Sequence, residues 1–160
     1  MGSNGSLDSV DLQILDLLQD QGRITNAQLA REVGLSPPSV LERVRKLEER
    51  GVIQRYVALV DPPRVGHCLT AYVLVSLAFH RKDSIDRFRT EIQGFDEVLE
   101  CYHVSGEGDY LLRVVLPDIE AYRNFLMERL TPLEVVQTVR TMIVFETLKH
   151  ETKLNLNRPD

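Results

Sequence analysis

Ser39, Arg43 and Lys46 stand three or four places apart in the segment SPPSVLERVRKLEERG. At that spacing a hydroxyl, a guanidinium and an ammonium share one side of an α-helix. Arginine and lysine bond guanine edges or phosphates, and serine bonds either. Ser36 stands where an N-cap belongs, with Pro37 and Pro38 in the first turn. A helix start of that kind carries partial positive charge and free amides that can meet a phosphate. Thr25 and Gln28 form a second capping pair upstream. The chemistry implied is recognition of double-stranded DNA, with Thr25, Ser36, Pro38, Ser39, Arg43 and Lys46 as the contacting residues.

Positioning those groups takes two helices and a turn. The stretch TNAQLAREV reads as a short capped helix with Leu29 and Val33 on one apolar face, ended by Gly34, which permits a sharp reversal. The second helix runs on to Gly51. Around it Val40, Leu41, Val44 and Leu47 fall on the core side, whereas Pro38, Ser39, Glu42 and Lys46 point outward, flanked by Arg43 and Arg45. A strand is expected to leave at Val52, passing Tyr56 and Val60 to the stiff Asp61-Pro62-Pro63. Ahead of the pair, Leu12, Ile14, Leu15, Leu17 and Leu18 mark a helix from about Ser9 to Gln19. The expectation is a winged helix-turn-helix over residues 7–61, after a flexible leader at 1–6.

Charge constrains how such a domain could hold DNA. The 160-residue chain carries a net −5, and residues 1–61 hold seven Arg and Lys against nine Asp and Glu. Bulk positive potential is therefore excluded as the source of affinity. Residues 39–46 alone hold three basic groups against one acidic, and the acids at 8, 11, 16 and 20 are expected to face away. Binding would rest on a local patch, used in several copies.

Beyond Asp61 the pattern changes. Leu69–Phe79 reads as a strand, Ser84–Ile92 as a helix, and Val98–Ser105 and Tyr110–Leu116 as strands joined by a tight Gly106-Glu107-Gly108 turn. Asp118 caps a helix whose inner residues are Ile119, Tyr122, Leu126 and Leu130, and Val135–Leu148 is a last strand. The order βαββαβ predicts a ferredoxin-like domain over 62–160, so the whole chain is α+β. Both helices of that arrangement lie on one sheet face. Yet the first strand is apolar on both sides, with Leu69, Ala71, Val73, Val75 and Leu77 alternating with Tyr72, Leu74 and Ala78. An antiparallel sheet with one wet face should alternate apolar with polar, so a second copy is expected to cover the other face.

The blocks GRITNAQLAREVGLSPPSVLERVRKLEERGVIQRY, LECYHVSGEGDYLLRVVLPDIEAYRNF and VRTMIVFETLK stand in that order over nearly all of Leu7 to Leu156. They resemble the Lrp/AsnC (feast/famine) transcription regulators. The resemblance implies a sequence-specific DNA-binding protein that senses amino acids, dimerises through its C-terminal sheets and assembles further, commonly to an octamer. It also implies an effector site between dimers at a G-x-x-D turn, present as Gly106-Glu107-Gly108-Asp109, with Ser105, Gly106, Asp109, Val139 and Thr141 as its residues. Turn amides suit a carboxylate and an aspartate suits an ammonium. Read without the resemblance, the same glycines are hairpin residues and Asp109 a turn cap. The last strand departs from the family pattern, with Val139 where threonine is usual and Val135 where glycine is usual.

The same fold resembles the sirohaem decarboxylases, an enzymatic alternative that needs His and Arg groups around a tetrapyrrole. His67, His80, His103 and His150 are scattered without ligand-pair spacing, and His103 alone falls near the effector turn. A third reading is an amino-acid-sensing module whose helix pair only joins partners. No nucleophile–base set, phosphate loop or paired-carboxylate site stands out, so neither an enzyme nor a cofactor is expected. Cys68 and Cys101 lack metal-ligand spacing and are expected to be buried thiols. The longest apolar run, Ala71–Val75, is too short to span a membrane, and a cytoplasmic protein is expected.

Overall fold

The computed structural model describes residues 6–156; the leader expected at 1–6 lies, apart from Ser6, outside them. Two compact units divide the chain near Leu59.

The first unit opens with α1 (Ser9–Asp20), α2 (Asn26–Glu32) and α3 (Pro37–Glu49). Each begins at a side-chain cap. Asp8 and Asp11 cap α1 reciprocally, Thr25 and Gln28 do the same for α2, and Ser36 accepts from the Ser39 amide at α3. These bonds satisfy amides that no preceding turn can reach. At the other end of α2, Gly34 takes φ +68°. The Leu35 amide then donates to the Ala30 carbonyl at 2.9 Å and the Gly34 amide to the Arg31 carbonyl at 3.4 Å. That is a Schellman closure, which needs a left-handed residue at its bend. It sets the reversal between α2 and α3. The core beneath contains Ile14, Leu15, Leu29, Ala30, Val40, Val44 and Leu47.

Two expectations for this unit are corrected. Leu41 is 54% exposed and does not join the core face. At about 100° per residue it stands on the edge of the stripe defined by Val40, Val44 and Leu47. The strand expected from Val52 to Val60 takes no regular secondary structure. A strand exists only through a hydrogen-bonded neighbour, and no strand among the described residues pairs with it.

The second unit is the expected βαββαβ. It comprises β1 (Leu69–Leu77), α4 (Lys82–Gln93), β2 (Val98–His103), β3 (Tyr110–Leu116), α5 (Ile119–Asn124) and β4 (Val136–Ile143). The antiparallel sheet has the order β2-β3-β1-β4. Ala71, Val73, Val75 and Leu77 of β1 pack with Phe88 and Ile92 of α4 and with Tyr122, Phe125 and Leu130. Both helices therefore cover one face. On the other face β1 presents Tyr72 and Leu74, beside Arg113 and Leu111 of β3 and Met142 and Arg140 of β4. Tyr72, Tyr102 and Met142 stand exposed there among the ion pairs Arg113–Glu100 and Arg140–Glu107.

Helix α5 corrects another expectation. Ile119 is 58% exposed, whereas Phe125, not expected inside, is 2% exposed. The helix widens into a π-turn over Phe125–Leu130, and the extra residue per turn shifts which side chains point inward. The last strand stops at Ile143, short of Leu148, and Phe145 stands fully out. Residues 149–156 then belong to the first unit rather than the second. There Leu154 exchanges two hydrogen bonds with the Gln19 side chain, Lys153 bridges Asp16 and Asp20, and Leu156 packs on the core.

Candidate nucleic-acid interface and effector turn

Helix α3 owes its outer face to three inward anchors. With Val40, Val44 and Leu47 buried, Pro38, Ser39, Glu42, Arg45 and Lys46 are left exposed. Ser36 and Ser39 share a 2.8 Å hydroxyl contact at the first turn. Further along, Glu42 lies between cations: Arg45 Nε at 3.4 Å and Lys46 Nζ at 3.5 Å. Hydrogen bonding from Arg45 holds the Glu42 carboxyl below the usual carboxylate range, with Lys46 adding to it. These are exposed contacts that water and salt weaken, so all three side chains remain available to a partner. Thr25, Ser36, Pro38, Ser39 and Lys46 thus lie on the exposed surface of the α2–α3 pair.

Arg43 is placed differently. Its Nη1 lies 2.7 Å from Asp8 Oδ2 and 2.7 Å from Asp11 Oδ1. The acids at 8 and 11, expected to face away, instead face α3, because the two aspartates that cap α1 also receive this guanidinium. Asp11 is 9% exposed, a buried charge that needs such a partner. The backbone bond from Asp11 and the pairing with Arg43 hold the Asp8 carboxyl low, and the two aspartates push the Arg43 guanidinium up. Arg43 is therefore a tie between α1 and α3. Beside it runs a shallow groove lined by Asp11, Ser39, Glu42, Lys46 and Arg50.

In the second unit the turn between β2 and β3 is built by close approach. A side chain at Gly108 would meet Leu74 Cγ at 2.5 Å, and Gly106 takes φ +127°. Glu107 pairs with Arg140 across the open sheet face. Asp109 is mostly buried, and both its oxygens are engaged: Oδ2 accepts from the Leu77 amide at 2.7 Å, and Oδ1 lies 2.7 Å from His80 Nε2. The Leu77 amide, followed by His80, holds the Asp109 carboxyl below its ordinary range. The carboxylate pins the end of β1 to the start of β3.

The other expected effector residues do not gather with the turn inside one chain. Val139 packs half-buried against the core, and Thr141 shares a hydroxyl contact with Tyr122 of α5. Both point to the helix-covered face, opposite Arg140. Among the remaining groups, His103 stacks on Tyr110 at 5.1 Å, and His67 contacts the Val65 carbonyl. Among the described residues no three His, Cys, Asp or Glu side chains converge as metal ligands. Cys68 and Cys101 are exposed, correcting the expectation of burial: Cys68 precedes β1, and Cys101 lies on edge strand β2, where no further strand covers it. Partial desolvation still pushes the Cys101 thiol up. No helix among the described residues is long and apolar enough to cross a membrane.

Sequence reasoning missed the Arg43–Asp8–Asp11 tie and the His80–Asp109 contact. Each joins residues 29 or more positions apart, beyond any helical or strand period. The reciprocal aspartates at Asp8 and Asp11 were the one local signal available, since capping-box spacing was present in the chain.

Comparison with known proteins gives the same division of labour. Residues 7–54 match the family described as winged helix-turn-helix DNA-binding, and residues 70–154 match the Lrp/AsnC ligand binding domain. The leucine-responsive regulatory protein of Escherichia coli K12 is 43% identical over 148 residues, covering 92% of this chain and 90% of that protein. Two solved structures are also similar. A transcriptional regulator of Neisseria meningitidis in complex with L-Met has TM-score 0.90 and 37% identity, over 95% of this chain and 98% of that one. An AsnC family regulator of Agrobacterium tumefaciens has TM-score 0.86 and 40% identity, over 93% and 97%.

Proposed function

The chain belongs to the Lrp/AsnC family of transcriptional regulators, and we propose that it is a sequence-specific DNA-binding regulator controlled by an amino acid. The effector binds at the Ser105–Asp109 turn, between dimers of a homo-oligomer that reaches the octamer. DNA is read by α3, with Thr25, Ser36, Pro38, Ser39 and Lys46 at the contact surface, and DNA binding implies a cytoplasmic protein.

The observation that carries this reading is the outward face of α3. Its capped, proline-started first turn offers amides to a phosphate, and its exposed Ser39 and Lys46 offer donors to base edges. The domain's net negative charge makes one copy a weak binder, so a symmetric assembly presenting several copies is part of the proposal. Tyr72, Tyr102 and Met142 on the uncovered sheet face support a second copy there.

For the effector, exposed Gly106 has open space beside its backbone and keeps the turn amides there approachable by a carboxylate. Asp109, with both oxygens engaged, shapes the turn rather than holding the ligand's ammonium by itself. Methionine is the first amino acid to try, because a relative at 37% identity was solved with it. The test is a thermal-shift screen of the twenty amino acids, followed by gel shifts of the gene's own upstream region with each hit. A hit that changes the gel shift is expected. An unretarded upstream fragment removes the DNA reading, and a flat screen removes the effector.

A further inference from the structure

In the N-terminal half of α3, the end at which a recognition helix contacts base edges, the side chain most squarely opposed to the core is an acid. Val40, Val44 and Leu47 fix the inward direction. At about 100° per residue, Glu42 comes within roughly 20° of the opposite direction. Ser39 and Lys46 stand to one side of it and Arg45 to the other, while Arg43 is turned toward Asp8 and Asp11. If α3 enters a major groove, Glu42 is the group that meets the base edges first. A carboxylate there repels phosphates, and the domain already carries more acids than bases. Such a group costs affinity at every sequence except one that offers it a hydrogen-bond donor.

The major groove offers donors at only two places, the exocyclic amines of cytosine and adenine. Adenine sets an acceptor, N7, beside its amine, which opposes a carboxylate. Cytosine sets none, and its guanine partner presents acceptors that suit a cation. Glu42 with Lys46 Nζ 3.5 Å away carries the matching pattern, an acceptor beside a donor.

We infer that Glu42 is a specificity-determining residue of the DNA interface, accepting from the cytosine amine of one base pair while Lys46 or Arg45 serves that pair's guanine. The inference rests on the reading of α3 as the DNA-contacting helix. In the free protein Arg45 and Lys46 each pair with Glu42, which favours its ionised form. On DNA the cations pass from Glu42 to guanine or phosphate, and the carboxylate passes to cytosine. Glu42 is a positive reader of one base and a penalty against the other three.

Selection of bound duplexes from a randomised library, using the full chain, tests this. The wild type is expected to enrich a motif in which one position per half-site favours cytosine by about tenfold over the other bases. Glu42→Ala is expected to keep the rest of the motif and lose that one preference. Glu42→Gln is expected to move it to adenine, which glutamine reads through N6 and N7. Circular dichroism of both variants should match the wild type, because Glu42 and its partners are exposed. A Glu42→Ala motif identical to the wild type at every position overturns the inference and leaves α3 as the DNA reader. A wild type that enriches no motif overturns the DNA reading itself, and this inference with it.

Discussion

Arg43 and Lys46 lie three positions apart on α3 and have the same charge, yet their surroundings assign them different work. Among the described residues Lys46 pairs with exposed Glu42, whereas Arg43 joins two aspartates, one of them buried. Lys46→Ala should therefore leave thermal unfolding unchanged and lower the salt dependence of DNA binding by about one unit of slope. Arg43→Ala should lower the unfolding midpoint, since it strands the Asp11 carboxylate. Equal midpoints in differential scanning calorimetry would deny the tie. The sequence placed Lys46 on the outer face of the helix and Arg43 on its flank, because a 3.6-residue period is a local property. It could not show that Asp8 and Asp11 wait opposite one of them.

Asp109 has a pH signature at the same scale. Its folded carboxyl lies below the ordinary value because the Leu77 amide and His80 bond the charged form. Its contribution to stability is thus fully present above the unfolded value of about 3.9 and is lost as pH falls through the lower folded value. Asp109→Asn should flatten the loss of stability below about pH 4. Thermal melts with the same acid slope in both proteins would contradict this. His80 supplies an adjoining charge when protonated, but the amide of Leu77 is the larger cause.

At the scale of elements, the boundaries set by local chemistry were legible. Caps at Thr25, Ser36 and Asp118 and the reversal at Gly34 are where the chain put them, and β3 spans Tyr110–Leu116 as expected. Boundaries set by distant partners were not. The π-turn after α5, the early end of β4 and the unpaired segment after Gly51 depend on what each stretch meets, not on its own period. The effector turn combines both kinds of information. Its glycines were visible, but the reason for Gly108 lies in Leu74 of β1. Gly108→Ala should cost about 1–3 kcal/mol, because Leu74 must leave its rotamer or the turn must shift. An unchanged denaturation midpoint would mean that the turn yields freely.

For the whole molecule, the proposed function makes the chain one link in an assembly. A short polar helix on an acidic domain gains affinity by repetition, and the exposed aromatic and methionine side chains of the open sheet face supply a reason to associate. Light scattering at micromolar concentration should give a mass of at least a dimer; a stable monomer would remove the repetition on which DNA affinity depends. The two-part organisation was readable from composition and element order. The return of residues 149–156 to the first unit was not, because Lys153, Leu154 and Leu156 find partners more than a hundred residues earlier.

The central claim is that an amino acid governs sequence-specific DNA binding by this chain. Fluorescence anisotropy of a labelled duplex from the gene's own upstream region, titrated with the full chain against a scrambled duplex, tests it most directly. The account predicts tighter binding to the upstream duplex at physiological salt and a shift of that curve by at least one amino acid. Equal affinity for the two duplexes, unmoved by any of the twenty amino acids, would contradict it.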